Sequence, residues 1–110
     1  MKTIKVSEAT KIQLDWLVAK IQGIDLFETE GWHYTDGGRK PYQPSTDWSQ
    51  GGPIIERERI AVQSPNDKGW YATDYMLKTY ESGPTPLIAA MRCYVTSKLG
   101  ETVEIPKELL

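Results

Sequence analysis

Little in this chain invites covalent or metal chemistry: its 110 residues include one cysteine, one histidine and one phenylalanine. Cys93 alone cannot make an internal disulfide, and no Cys/His cluster offers zinc ligands, so a reducing compartment is the simple reading. Nowhere do about 18 apolar residues follow one another, and the start, MKTIKVSEAT, carries lysine without an apolar run. Neither secretion nor membrane insertion is expected. Positive charge is not in excess either, with 13 Lys and Arg against 15 Asp and Glu, a net charge of -2 and a pI near 5.4. A protein that grips duplex DNA through its phosphates needs a basic face, so nucleic acid is not an expected partner.

What the chain has is polar aromatics. Four tryptophans and six tyrosines stand beside the lone Phe27. Such rings serve both a core edge and a binding surface, because a large apolar body carries one hydrogen-bonding group. The length and 12.5 kDa mass fit one domain, residues 1–110, with a hydrophobic fraction of 39% and a charged fraction of 25% that mark a folded protein.

Ile4 and Val6 alternate with polar residues as a short opening strand, and Ser7 reads as a helix N-cap. From Glu8 to Gln22, Leu14, Leu17, Val18 and Ile21 recur at helical spacing, flanked by Ile12 and Trp16, and Gly23 is the stop. Ile24 to Glu30 alternates as a strand. Residues 31–46 carry three glycines and two prolines and read as a long loop in which Trp32–Tyr34 pair briefly with a neighbour. Arg59–Gln63 and Trp70–Met76 form an antiparallel hairpin around SPNDKG. Then Thr85 caps a last helix with Pro86 at its first position, a buried stripe of Leu87, Ala90, Met91, Tyr94, Val95 and Leu99, and Gly100 at its end. The tail adds an edge strand that Pro106 closes. The expected class is α+β: a small, mostly antiparallel sheet packed with two long helices and a shorter central one, in the manner of an α-β-α sandwich.

The stretch PSTDWSQGGPIIERERI is the least ordinary part. Ser45, Thr46 or Asp47 can each cap a helix, and Pro53 is a second start signal. Gly51 and Gly52 weaken a helix running through from Asp47 by roughly 1 kcal/mol each relative to alanine. A helix that begins at Asp47 and bends is favoured over a loop ending in a short helix at Pro53. Glu56 and Arg59 are neighbours at i and i+3, so the alternating charges read first as a solvated face. The sharper alternative has Arg57 or Arg59 facing a pocket and pairing with an anionic ligand. Gly-Gly-Pro before a helix could bind an anion, but the phosphate-loop spacing and lysine are missing, so capping outweighs it.

No catalytic constellation emerges. His33 has Asp36 three residues on but nothing that fixes their geometry. Cys93 adjoins a buried stripe and reads as a packing residue. Ser45 lacks a nucleophile elbow. Asp47 with Glu56, or Asp67 with Asp74, match no metal-binding loop. Trp32, Trp48, Trp70, Tyr34 and Tyr42 suit either stacking on a ligand or closing a small core.

PSTDWSQGGPIIERERI, GPTPLIAAMRCYVTSKLG and the opening helix in KVSEATKIQLDWLVAKIQG together resemble the NinX-type family of bacteriophage proteins, a family of unknown function. TPLIAAMRCYV is also similar, more loosely, to the last helix of small phage α-β-α sandwich domains, whereas Gly-Gly-Pro departs from their plain central helix. The resemblance implies a phage accessory protein in the cytoplasm of the infected bacterial host and brings no catalytic residue, and no metal or cofactor is expected. The resulting expectation is a non-catalytic module that binds a host or phage macromolecule around Trp32, Tyr42, Ser45, Thr46, Asp47 and Trp48. The alternative is a binder of a small, nucleotide-type anionic ligand using Arg57 or Arg59, with a hydrolase third. The apolar stripes also admit a homodimer.

Overall fold

The computed structural model describes residues 1–29, 32–35 and 40–110, and between residues 27 and 40 it describes the backbone pairing of strands alone. In chain order these residues form β1 (Lys2–Lys5), a 3-10 turn (Val6–Glu8), α1 (Lys11–Gln22), β2 (Phe27–Thr29), β3 (Trp32–Thr35), β4 (Lys40–Pro41) and α2 (Trp48–Glu58). There follow β5 (Ala61–Gln63), β6 (Trp70–Thr73), β7 (Tyr80–Gly83), α3 (Pro86–Leu99), β8 (Thr102–Ile105) and a last 3-10 turn (Lys107–Leu109). The class is α+β, as expected. Among the described residues, however, the strands divide into three small antiparallel sheets, β1-β8, β2-β3-β4 and β5-β6-β7.

The first helix begins three residues later than Ser7 would start it. Thr10 and Gln13 form a reciprocal capping box, the Thr10 Oγ1 accepting from the Gln13 N–H and the Gln13 Oε1 from the Thr10 N–H. Two free donors are satisfied at once, which Ser7 cannot match because Thr10, not Glu or Gln, lies three residues after it. Ser7 sits instead in the 3-10 turn, which the Val6 N–H ties to the Glu101 carbonyl at 2.9 Å. Gly23 ends α1 at φ 69, the left-handed position that a Cβ disfavours.

The central helix runs from an Asp47 cap through Gly51, Gly52 and Pro53. Gly51 is demanded by packing: a Cβ there would stand 2.3 Å from the Pro44 carbonyl oxygen and 2.7 Å from Leu87 Cδ2. Pro53 forfeits one helical bond, to the carbonyl of Ser49.

The last helix begins as expected, the Thr85 Oγ1 accepting from the Ile88 N–H at 3.1 Å with Pro86 at the first position. It is buried on more than one stripe, since Ile88, Ala89 and Cys93 are as inaccessible as Leu87, Ala90, Met91, Tyr94 and Val95. Its neighbours explain this: α3 packs against α1 and α2 and also against β5, β6 and β7. Leu99, expected in the stripe, is 47% exposed at the helix end. Val6, Leu14, Leu17, Val18, Met91, Val95 and Ile105 are among the most enclosed side chains of the core.

Several strand readings need correction: β2 takes up Phe27–Thr29 of the expected Ile24–Glu30, and β5 begins at Ala61 rather than Arg59, which closes α2 in the left-handed conformation. β6 ends at Thr73 rather than Met76, because Asp74 Oδ1 accepts from the N–H groups of Lys78 and Thr79 and turns the chain. The segment after it returns as β7, whose Tyr80 pairs with Thr73 and Gly83 with Trp70, where no strand was expected. The pairing of Trp32–Tyr34 is realised as β3, between β2 and β4, and the tail strand β8 pairs with β1 through Ile4 and Val103.

Candidate functional site

The approach to α2 is held from both sides. The Gln50 Oε1 accepts from the Gln43 N–H, its Nε2 donates to the Pro41 carbonyl, and Asp47 Oδ1 accepts from the N–H and Oγ–H of Ser49. This clamp sorts the expected site residues. Ser45 is buried, its N–H donating to Asp15 Oδ1 at 2.8 Å and its hydroxyl to the Lys11 carbonyl, so it is a structural tie and no nucleophile. Tyr42 is buried too, its hydroxyl accepting from Gln22 Nε2, and burial with the nearby Asp15 charge pushes its pKa up to about 12. Thr46 is exposed and Asp47 half-buried. Trp48, the first residue of α2, stays 55% exposed with its ring near Gly52. Trp32 opens β3 opposite Thr29, and its side chain lies outside the described residues, as do those of Tyr34 and His33.

Asp15 and its surroundings were not singled out by sequence. The side chain is 5% exposed, and desolvation raises its pKa to about 6 despite the hydrogen bonds from Ser45. An aspartate in the middle of an apolar helical stripe was the available signal.

The other end of α2 brings together both expected arginines. Arg57 donates to Glu58 Oε2 at 3.0 Å, to Gln22 Oε1 and to the Tyr94 hydroxyl, so its guanidinium links α2, α1 and α3. The hydrogen bond to Glu58 raises its pKa further. Glu58 also meets Lys98 Nζ at 3.0 Å. Burial favours its neutral form, and the two cations outweigh that and hold its carboxyl below the ordinary value. The i, i+3 pair of Glu56 with Arg59 is thus replaced by Arg57–Glu58–Lys98. Arg59 takes the left-handed conformation that closes the helix, φ 54, and its guanidinium carbon lies 5.3 Å from the centre of the Tyr75 ring.

Between these residues, the turn after β6 and the end of α3 lies an open cleft of about 390 Å³. Arg57, Arg59 and Lys98 meet Asp74, Tyr75 and Met76 across it. Tyr75 and Met76, taken from sequence as strand residues, are instead turn residues 62% and 61% exposed. The run DYML, three large apolar residues beside a turn-forming aspartate, was the missed signal.

Cys93 is fully buried, and desolvation lifts its thiol to about 12, which removes it as a nucleophile. Among the described residues no three His, Cys, Asp or Glu side chains gather as a metal site, and no helix is long and apolar enough to cross a membrane.

The family model described as Bacteriophage P22, NinX covers residues 5–98, from the end of β1 almost to the end of α3. Among curated proteins none matches this chain.

Proposed function

The chain belongs to the bacteriophage P22 NinX family, and from that premise we propose a phage accessory protein that binds a host or phage macromolecule in the cytoplasm of the infected cell, without catalysis. The observation that carries this reading is Trp48. A tryptophan 55% exposed at the first position of a helix whose entry is clamped by Gln50 and Asp47 is a large anchor already held in place. Tryptophan dominates the binding energy of many interfaces because one rigid ring buries much area at small entropic cost. Thr46, exposed beside it, supplies a polar rim. Tyr42 and Ser45, both buried, tie the segment before Trp48 to α1.

The test is affinity capture from phage-infected cells with wild-type protein and Trp48→Ala. A stoichiometric macromolecule recovered by the wild type and lost with the variant is the expected result. Identical recovery by both proteins would remove Trp48 from the interaction.

The cleft favours a second reading, a small anionic ligand. Arg59 is poised beside the Tyr75 ring, and Lys98 and Arg57 line the same opening. Native mass spectrometry after incubation with small-molecule extract of infected cells would then show a discrete added mass, lost with Arg59→Ala and kept with Trp48→Ala.

A further inference from the structure

The cleft at the C-terminal end of α2 holds three groups whose bonding is incomplete in different ways. Arg59 has no carboxylate within ion-pair distance among the described residues, while Arg57 and Lys98 both spend their charge on Glu58. Its guanidinium carbon lies 5.3 Å from the centre of the Tyr75 ring. The ring nevertheless stays mostly exposed, with the exposed thioether of Met76 next to it in the chain. Asp74 lines the same opening and is half-buried. Its Oδ1 accepts from the N–H groups of Lys78 and Thr79, and its Oδ2 has no donor among the described residues.

The backbone is strained on both sides of this opening. Arg59, at φ 54, and Leu77, at φ 58, are the two residues other than glycine with positive φ among the described residues. Arg59 lines the cleft, and Leu77 directly follows Met76, which lines it too. Glycine would close α2 at less cost than arginine, so the helix end does not itself ask for the Arg59 side chain. Strained positions of this kind gather where a site needs fixed geometry.

On the reading of the cleft as an anion site, on which this assignment rests, we propose that its ligand is a ribonucleoside monophosphate. The phosphate meets Arg59, the base lies against the exposed Tyr75 ring and Met76, and a ribose hydroxyl donates to Asp74 Oδ2. Each part of the ligand completes one of the three groups. A guanidinium fork matches phosphate oxygens, and Arg57, Arg59 and Lys98 against Glu58 and Asp74 leave the opening positive. An aromatic face stacks on any base, and a methionine sulfur packs well against rings. A carboxylate oxygen without a donor repels a simple anion and calls for a ligand that also carries hydroxyl groups, as the ribose does. The volume of about 390 Å³ is at the small end of the roughly 300–1,000 Å³ of ligand sites, which suits one nucleotide rather than a linked pair.

Isothermal titration calorimetry of the full chain tests it, with the common ribonucleoside 5′-monophosphates in turn and with adenosine, ribose 5-phosphate and L-tyrosine beside them. At least one monophosphate is expected to bind one per chain, roughly tenfold or more tighter than any of the other compounds. Arg59→Gly abolishes that binding while leaving the melting temperature no lower, because glycine relieves the positive φ, so the loss cannot be unfolding. Asp74→Asn keeps an acceptor for the turn and removes the preference of the wild type for the monophosphate over its 2′-deoxy form. Binding of ribose 5-phosphate or L-tyrosine as tight as that of every monophosphate, or no preference of the wild type for the ribose form, overturns the proposal and leaves the anion site standing. Failure of every monophosphate to bind overturns it as well. The anion reading falls with it only if the extract of infected cells also yields no added mass that depends on Arg59.

Discussion

The Ser45 backbone N–H donates to Asp15 Oδ1 at 2.8 Å, a buried bond that fastens the turn before α2 to the middle of α1. It ties the approach to Trp48 to the core, and its acceptor is a carboxyl whose pKa burial raises from 3.8 to about 6. The linkage follows from that sign. The folded protein holds the Asp15 proton more tightly than the unfolded chain, so stability attributable to the neutral form is full below about pH 4 and is lost as pH rises through about 6. The loss amounts to about 3 kcal/mol if the whole shift is expressed. Asp15→Asn keeps the acceptor for Ser45 and removes the charge. It should stabilise the protein at pH 7.5, by up to ~3 kcal/mol, with little effect near pH 4. Urea unfolding at the two pH values checks this, and a destabilisation that grows from pH 4 to pH 7.5 would mean that the ionised carboxylate is the preferred partner.

Gly51 and Gly52 should respond to alanine with opposite signs. A Cβ at Gly51 collides with the Pro44 carbonyl and with Leu87, whereas at Gly52 its nearest contact is Trp48 Cε3 at an ordinary 3.9 Å. Gly51→Ala is expected to cost ~1–3 kcal/mol through overpacking. Gly52→Ala should stabilise by up to about 1 kcal/mol through helix propensity. Thermal unfolding of the two variants side by side is the measurement, and a shared sign would contradict the packing of α2 on Pro44.

Arg92 spans two segments, Nη1 donating to the Ser82 carbonyl at 2.9 Å and Nη2 to the Ala9 carbonyl at 3.0 Å, with its Nε buried and unpartnered. The fork lets one side chain join β7 to the start of α1. A lysine ammonium cannot reproduce it, so Arg92→Lys should cost ~1–2 kcal/mol in denaturant unfolding. An unchanged midpoint would show that one carbonyl contact suffices.

Cys93 should be inert while the protein is folded. With no exposure and a thiol pKa near 12, its labelling by a disulfide reagent at pH 8 is expected only through unfolding, at a rate that rises with denaturant. Fast labelling in native buffer would contradict its burial.

How much of this was legible beforehand depends on the range of the forces. The ends of α1 and α3 were readable at Gly23, Thr85 and Pro86, where backbone conformation and free donors are settled by a few adjacent residues. The start of α1 was misplaced at Ser7 because several residues could cap and the reciprocal bond of Thr10 with Gln13 decided among them. β7 was missed because Tyr-Glu-Ser-Gly has no strand signature of its own. It is a strand because β6 and α3 flank it. The candidate site divided in the same way: Tyr42 and Ser45 carry the same recognition-prone chemistry as Trp48 and Thr46, yet the first two are buried and the last two exposed.

The sequence by itself determined the α+β class and the NinX resemblance, because these rest on local periodicity, caps and motif identity, and it left open whether α2 runs from Asp47 through Gly51, Gly52 and Pro53. Only the tertiary structure decided that Arg57 bonds Gln22 and Tyr94, that Arg59 lies over Tyr75, that Asp15 is buried under Ser45, and that the strands separate into three sheets. Each of these depends on residues distant in the chain meeting in space. That meeting is governed by how α3 fills the core and by which charges it leaves with a partner, and no local pattern records it.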